Sequence, residues 1–597
     1  MADLTALEES ASATGHADTL SRLAQGLLLV APLVALAILR LAHYGWADVA
    51  PDDARYLNVG LAVLAGRGPI TPDGNPFLLR SPTYGIALAL GAKAIGGDPL
   101  VGARLVAASL TLLAFCAAVR LGWVLRGLTG AAITCAAILA TPLIWRLLPT
   151  LRIDLAQTAV VIGVVLALRQ PTTARWAVAG GLFGLSLLIK ETGALVGLLP
   201  LAWLGILPVR RWLPMAAIFG AAALLVAGWW WIFVWSKAGV LFPLNAIGVI
   251  ERRDVTGELR IGRATLPFVA VFVAAWLVTA RNMRREVGVR LLCGAALALV
   301  PPALYATVNG LSTRNYAPLA LLSCVAVGVA SADVIRTVVR RIQAADGGRP
   351  IARAIPAALA VLLLPAVALG QQQVGRPGHS ALPEHLSAWL VEHAGPSDRV
   401  VMTFRLAELV ALELNGRVPL ASLTATRVTA GEDPAAYIWM GLRDRQLFGY
   451  PRDGWIATLG APGTRYLVTV EPHPLTPVEL LPLLESASGP SLGFRTGVEL
   501  RDGKDVAHVL EVEPGTVASG GSPSALRLHM SPAAVEAWLA LNGGPSSAAA
   551  GGLVRAQPVV VGDAAGIRRL DLALGSALCS SPAGSNEPAG AITLRPC

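Results

Sequence analysis

Long apolar runs separated by short arginine-bearing connections fill the first 370 residues of the chain. A helix that crosses a bilayer needs about 20 consecutive apolar residues. Runs at 22–43, 99–120, 129–145, 153–168, 175–190, 192–207, 213–235, 265–280, 290–308, 314–332 and 353–371 meet that demand or nearly so, about eleven spans. Beyond residue 380 the pattern changes. Leu382, Leu386, Trp389 and Leu390 recur at helical spacing, and strand-like runs follow at Arg399–Thr403, Tyr466–Val470 and Val506–Val512. That succession predicts a separate soluble α/β domain. From about residue 515 the chain is rich in Gly, Ser, Ala and Pro, a composition that predicts loose order. No internal repeat suggests a transporter of two similar halves.

The arginines orient the spans. Arg120 and Arg126, Arg169 and Arg175, Arg210 and Arg211, then Arg281, Arg284, Arg285 and Arg290, and lastly Arg336, Arg340, Arg341, Arg349 and Arg353 fall on alternate connections. Cytoplasmic loops are enriched in Lys and Arg. All five clusters share the cytoplasmic face if the N-terminus is cytoplasmic, and an odd number of spans then puts the C-terminal domain outside. The expected organisation is a cytoplasmic tail at 1–21, a membrane domain at 22–371 with an external loop at 44–98, and an extracytoplasmic α/β domain at 380–597. The connections 146–154 and 236–264 share the outer face. The first twenty residues are polar and acidic, and the run from Leu23 to Leu41 is long enough to remain as an anchor, so no cleaved leader is expected.

Composition agrees with a bilayer: 54% of the 597 residues are hydrophobic and 14% charged, against about 25% charged in soluble domains. The net charge of +10 is dispersed between apolar runs rather than gathered on one arm, so nucleic acid is not an expected partner. Cys116, Cys135, Cys293 and Cys324 lie inside apolar runs as small core residues, whereas Cys579 and Cys597 could pair if their region is extracytoplasmic. No Cys/His spacing resembles a zinc site; a divalent metal is possible but not indicated, and no other cofactor is expected. Abundant Ala, Gly, Arg and Val fit a high-GC bacterium and hence its plasma membrane.

Candidate chemistry concentrates in the first external loop: Pro51-Asp52-Asp53-Ala54-Arg55-Tyr56, Gly66-Arg67-Gly68, Pro72-Asp73-Gly74-Asn75-Pro76 and Arg80-Ser81-Pro82-Thr83-Tyr84. Adjacent carboxylates in a partly desolvated site raise one another's proton affinity, which suits a general base. The competing reading makes Asp52 the cap of a helix through Leu57, Leu61 and Leu64, with Asp53 in its first turn. Both readings can hold together.

The order D-D-x-x-Y, G-x-G, P-x-G-x-P and R-S-P-x-Y after a first transmembrane helix resembles the GT-C glycosyltransferases, in particular the branch of protein mannosyltransferases and lipid A aminoarabinose transferases. Ser81-Pro82 stands where a double proline is usual. Arg104-Leu105, Arg152-Ile153-Asp154, the Gly180/Gly184/Leu185…Lys190 segment and Arg314-Asn315-Tyr316-Ala317-Pro318 continue the likeness over residues 20–335. The resemblance implies a sugar donor on a polyprenyl phosphate, a glycan, lipid or protein acceptor, and a single inverting displacement. Asp52, or Asp53 as second candidate, would take the acceptor proton, and Asp154 would orient the acceptor or share proton handling. Arg80, Lys190 and Arg314 would bind the donor phosphate; Tyr56, Tyr84, Arg152 and Tyr316 would position substrate. A charge bordering a span costs at least about 2.5 kcal/mol, although cations near helix ends can reach the headgroups, and Arg152 could simply pair with Asp154. Trp229, Trp230, Trp231 and Trp235 suit an interfacial belt or sugar stacking, His43 beside Tyr44 an interface position, and Gly180–Gly184 close helix packing.

Three other functions stay open at this level. A transporter or flippase would place charges near the bilayer midplane. A non-catalytic receptor or envelope assembly factor would act through the C-terminal domain. A lipid-linked glycan polymerase or ligase would use a diphosphate oligosaccharide donor. The sequence also leaves open which sugar and which acceptor are used.

Overall fold

The computed structural model of the protein describes residues 24–43 (except 28), 49–239 (except 79), 266–308 (except 284), 316–344, 368, 371, 381–423 (except 415), and beyond these 426–427, 437–443, 446–451, 458–459, 461–471, 494–502, 505–512, 527–530, 553–555, 558–562, 568–572, 577–582 and 592–596. The chain divides into two compact units. One comprises Met1–Val49, Val59–Pro69 and Phe77–Gly378; the other comprises Ala50–Asn58, Ile70–Pro76 and His379–Cys597.

The first unit is helical. Its described elements are α1 (Ala24–His43), the second half of α2 (Pro51–Leu64), α3 (Thr83–Ile95), α4 (Pro99–Ala140), α5 (Pro142–Trp145), α6 (Ile153–Leu168), α7 (Thr173–Ile189), a 3-10 helix (Glu191–Trp203), α8 (Val209–Ala238), α9 (Leu266–Ala280), α10 (Val287–Val308) and α11 (Ala317–Ala344). Among the described residues α1, α4, α8 and α11 are long and apolar enough to cross a membrane, and α3, α6, α7 and parts of α9 and α10 are shorter apolar helices. Leu225 is 84% and Leu213 60% exposed on α8, an apolar surface that lipid tails accommodate and water does not.

The expected spans at 99–120 and 129–145 meet this structure as α4, one long element broken where Gly127 takes φ +69°, a backbone state open to glycine and strained for other residues. Beside the break Arg126 is buried and donates to Glu286 at 2.6 Å and to Asp333 at 3.0 Å, while Arg336 donates to the Arg126 carbonyl at 3.1 Å. Three segments of the unit, α4, the α9–α10 connection and α11, are thus fastened together. The expected span at 192–207 is different: residues Glu191–Trp203 form a 3-10 helix containing Pro200. Proline removes an amide donor and crowds the preceding turn, and Gly193 and Gly197 add little side chain to hold an α-helix. The 314–332 span begins at Ala317, and the 353–371 span lies outside the described residues apart from 368 and 371. The loop expected at 44–98 contains two helices, α2 and α3.

Close backbone contacts pack the unit. A Cβ on Gly180 would stand 2.1 Å from the Phe219 carbonyl oxygen and one on Gly184 2.6 Å from that of Ala223, so this Gly-x-x-x-Gly lets α7 lie against α8. Gly102 on α4 and Gly91 on α3 approach in the same way. Large side chains fill the centre, with Phe115 and Trp145 rings 5.2 Å apart.

The second unit is α/β. Strands β1 (Arg399–Thr403), β2 (Leu420–Leu423), β3 (Thr426–Arg427), β4 (Tyr437–Arg443), β5 (Gln446–Pro451), β6 (Thr464–Glu471), β7 (Phe494–Asp502) and β8 (Asp505–Val512) follow helix α12 (Leu382–His393), with α13 (Phe404–Leu414) between β1 and β2. One sheet has the order β2-β1-β6-β8-β7. Its β2, β1 and β6 run parallel, and β8 and β7 continue antiparallel. Leu382, Leu386 and Leu390 of α12 and Val410 and Leu414 of α13 bury against Val400, Met402, Val468 and Val509 of the sheet, as helices covering a mixed sheet must. The stretch after 515, expected to be loosely ordered, carries antiparallel strands at Arg527–Met530, Leu553–Arg555, Pro558–Gly562, Arg568–Leu572, Ala577–Pro582 and Ile592–Pro596. Short aliphatic runs such as Val559-Val560-Val561 have strand propensity inside a Gly/Ser-rich background. A Cys579–Cys597 disulfide lies outside the described residues.

Candidate functional site

In the first unit the buried polar chemistry gathers where α3, α6 and the 3-10 helix begin and α7 ends. Asp154 sits in the first turn of α6 with no solvent exposure. A negative charge there faces the positive end of the helix dipole. Lys190 ends α7 in an extended conformation (φ −156°, ψ 127°), which turns its side chain off the helix surface. Its Nζ donates to Asp154 Oδ1 at 2.6 Å. Asp154 Oδ2 is buried and has no hydrogen-bond partner among the described residues.

Neighbouring groups hold that pair. Gln157 Nε2 donates to the Lys190 carbonyl at 2.7 Å, and Thr192 Oγ1 donates to Gln157 Oε1 at 3.3 Å. The buried Ser186 hydroxyl also has no hydrogen-bond partner among the described residues. A Cβ on Gly193 would stand 2.5 Å from Ser186 Oγ and 2.7 Å from Gln157 Nε2, so glycine is required for this packing. Arg80 pairs with Glu191 through its Nε, 3.0 Å from Oε2. The Tyr84 hydroxyl donates to the carbonyl of Leu151 at 3.0 Å and lies 3.2 Å from that of Arg152. It thereby fixes the connection that delivers Asp154.

The structure therefore brings Arg80, Tyr84, Arg152, Asp154 and Lys190 to one end of the first unit. Lys190 and Arg80, read from the sequence as phosphate-binding cations, each meet a carboxylate. Arg152 does not supply the Asp154 ion pair; Lys190 does. Gln157, Ser186 and Glu191 were not among the expected residues. Glu191 adjoins Lys190 in the sequence, and that pair of charges between apolar runs was its available signal.

Asp52, Asp53 and Tyr56 belong to the second unit, on the first half of α2. The amides of Asp53 and Ala54 donate to the Ala50 carbonyl at 2.8 and 3.0 Å. Pro51 thus stands first in the helix, where its missing amide costs nothing, and both aspartates lie in the first turn. Asp52 is therefore not the capping residue that the alternative reading made it. Asp52 is exposed, whereas Asp53 and Tyr56 are buried.

In the same unit Arg55 Nε donates to Glu408 Oε1 at 2.8 Å, and Asn58 Nδ2 donates to Glu408 Oε2 at 3.1 Å and to its carbonyl at 2.8 Å. Burial raises Glu408 above the usual carboxylate range, although Arg55 and Asn58 oppose that rise. Asp73 accepts from Ser422, Thr71 and Asn75. Burial would raise its pKa, but these hydrogen bonds outweigh burial and hold it below the usual range. Glu408 escaped the sequence reading although α13 carries a signal: it is a carboxylate on the helix face that buries Leu406, Ala407, Val410 and Leu414.

Arg314 lies outside the described residues, and Tyr316 is half-buried just before α11. Among the described residues no group of three His, Cys, Asp or Glu side chains could hold a metal ion.

No family model matches the chain. No curated protein sequence matches it either. Solved structures do. ArnT from Cupriavidus metallidurans bound to undecaprenyl phosphate aligns over 83% of this chain and 100% of its own, at 17% identity and a TM-score of 0.53. The apo state of that protein aligns over 81% and 97% at the same identity, with a TM-score of 0.51. The arabinofuranosyltransferase AftD from Mycobacteria aligns over 84% of this chain and 40% of its own at 15% identity, with a TM-score of 0.49. The ArnT comparisons show the fold: this chain shares the architecture of the ArnT chain.

Proposed function

We propose that the protein is a membrane glycosyltransferase that moves a sugar from a polyprenyl-phosphate donor to an acceptor in the cell envelope. The observation that carries this reading is the buried Lys190–Asp154 pair, whose second carboxylate oxygen has no hydrogen-bond partner among the described residues, set in a fold shared with the full length of an ArnT chain solved with undecaprenyl phosphate. A polyprenyl phosphate is amphipathic: its tail suits apolar helices, and its phosphate needs cations that a bilayer otherwise excludes.

In the reaction the acceptor hydroxyl attacks the anomeric carbon. The bond from that carbon to the phosphate oxygen breaks, and the polyprenyl phosphate leaves with the electron pair. Asp52 takes the hydroxyl proton. Its exposure makes it accessible to an incoming hydroxyl, whereas the buried Asp53 is suited to an orienting role. Arg80, Lys190 and Arg314 stabilise the phosphate charge as it develops, an effect that grows where water is excluded. Asp154 holds Lys190, and its second oxygen is an acceptor for a substrate hydroxyl. Tyr56, Arg152 and Tyr316 complete the positioning, with Tyr84 holding the connection before Asp154. One displacement inverts the anomeric centre.

The accompanying topology has about eleven spans, a cytoplasmic N-terminus and an extracytoplasmic C-terminal domain, in a bacterial plasma membrane. The acceptor is a glycan, lipid or protein. The reading is tested by supplying the purified protein with labelled sugars on undecaprenyl phosphate and a membrane extract as acceptor. Label should move to the extract. Retention of all label on the lipid by a folded protein would reject the function.

A further inference from the structure

At the end of the first unit away from Asp154, α1 and α4 part. Leu33 and Ala37 of α1 are buried in the core of the unit, whereas Leu27, nearer the helix start, is 70% exposed. The first turns of α1 thus stand off α4 and leave a cavity of about 990 Å³, a volume typical of ligand pockets. Its walls are largely apolar, with Leu29 and Val30 from α1 and Val119 and Trp123 from α4, and Arg120 and Arg169 join the lining. Arg169 directly follows α6, whose first turn holds Asp154. That helix has 16 residues and so spans about 24 Å, which separates this cavity from the Lys190–Asp154 pair.

The charge at the cavity is of one sign. Burial, and after it the charges of Arg120 and Arg175, hold Arg169 below the usual arginine range. Among the described residues no carboxylate pairs with any of these three arginines. The nearby Arg126 differs, since Glu286 and Asp333 neutralise it. Arg169 is also held in place by packing: a Cβ on Gly288, at the start of α10, would stand 3.3 Å from its Nε. Cations gathered without a counter-charge attract an anion. A small hydrated anion gains nothing from the apolar walls, whereas an anion with a hydrocarbon tail satisfies both parts of the cavity. The arginine pattern assigns this end of the unit to the cytoplasmic leaflet, where anionic lipids are abundant.

We propose that this cavity binds an anionic phospholipid, with its phosphate at Arg120 and Arg169 and an acyl chain along Leu29, Val30, Val119 and Trp123. Arg175 adds to the attracting field. The lipid relieves the repulsion among the arginines and fills the gap beside α1, so it fastens α1 to α4. The site is distinct from the one proposed for the sugar donor, and the inference does not depend on sugar transfer.

The test measures lipid binding to the purified full chain in a non-ionic detergent by native mass spectrometry. The probes are phosphatidylglycerol and phosphatidylcholine with identical acyl chains, and inorganic phosphate as a competitor without a tail. Phosphatidylglycerol should bind about 10-fold more tightly than phosphatidylcholine, and phosphate should not displace it. Arg120→Gln and Arg169→Gln should each weaken phosphatidylglycerol about fivefold and leave phosphatidylcholine unchanged. Cys116 also lines the cavity, and Cys116→Trp, which fills space without altering charge, should weaken phosphatidylglycerol too. Arg210 and Arg211, at the start of α8, are outside the lining, and replacing both by Gln should leave the preference intact.

Equal binding of the two lipids would overturn the inference, because it would reduce the cavity to a groove filled by any bilayer lipid. Unchanged phosphatidylglycerol binding in the folded Arg120→Gln and Arg169→Gln variants would place the headgroup elsewhere and overturn it as well. Displacement by inorganic phosphate would make this a site for a free anion, against the proposal. Should the arginine variants fail to fold, Cys116→Trp and a salt series on the wild type carry the test. Raising salt from about 50 to 500 mM should weaken phosphatidylglycerol but not phosphatidylcholine, and insensitivity of phosphatidylglycerol to both salt and Cys116→Trp would overturn the site. No readout here uses turnover, so absence of sugar transfer would reject the function proposed above and leave these outcomes unaffected.

Discussion

Lys190 Nζ lies 2.6 Å from Asp154 Oδ1, the lysine 7% exposed and the aspartate fully buried. The pair joins the end of α7 to the start of α6. Breaking a buried ion pair by removing one partner strands a charge and typically costs about 3–5 kcal/mol, whereas removing both partners can be nearly neutral. Lys190→Met or Asp154→Asn should therefore lower thermal stability in detergent markedly, and the double variant should recover most of that loss. If the pair also serves substrate, the double variant should stay at least 10-fold below wild type in transfer. Thermal unfolding and transfer measured on the same preparations separate the two roles.

The α7–α8 contact predicts a contrast between neighbouring glycines. Gly180→Ala would press a methyl group to 2.1 Å from the Phe219 carbonyl oxygen, whereas Gly181→Ala meets its nearest neighbour, a Val226 methyl, at 3.9 Å. Overpacking typically costs about 1–3 kcal/mol, while Gly to Ala in an uncrowded helix gains up to about 1 kcal/mol. Thermal unfolding should show Gly180→Ala below and Gly181→Ala at or above the wild type.

Much of the fold was legible because lipid imposes a simple pattern. Runs such as 153–168 and 213–235 fall within α6 and α8, and the strand-like run Arg399–Thr403 is β1 residue for residue. What escaped were features set by backbone packing rather than hydropathy. The break at Gly127 hides inside an apolar run. The 3-10 helix has the same apolar content as an α-helical span, and Pro200 with Gly193 and Gly197 marks it. In the site, Asp154, Lys190, Arg80 and Tyr84 could be named from charge and motif order, but their pairing could not. The partners of Arg80 and Lys190 lie 111 and 36 residues away, and no local pattern encodes such a contact. Glu408 was hidden for the same reason: its partners on α2 are about 350 residues away.

The Asp73 cluster gives a pH dependence of definite sign. The pKa of Asp73 is lowered in the folded protein, so its stabilising contribution is present above the ordinary aspartate value of about 3.9 and is lost as pH falls through the folded value. Asp73→Asn should therefore destabilise the protein at neutral pH, and the gap between variant and wild type should close as pH is lowered from about 5 to 3. Glu408, raised by burial, has the opposite sign, losing its contribution as pH rises. The difference between wild type and Asp73→Asn isolates the first effect. A gap that widens on acidification would contradict the assignment.

The most direct test of the central claim is transfer of labelled sugar from a panel of undecaprenyl-phosphate donors by purified wild type and by Asp52→Asn, with both confirmed folded by thermal unfolding. The predicted result is transfer from at least one donor by the wild type and a loss of about 10²–10⁴-fold in the variant. Wild-type turnover in Asp52→Asn would contradict the assigned base and move that role to Asp53. No transfer by the folded wild type from any donor would contradict the glycosyltransferase assignment itself.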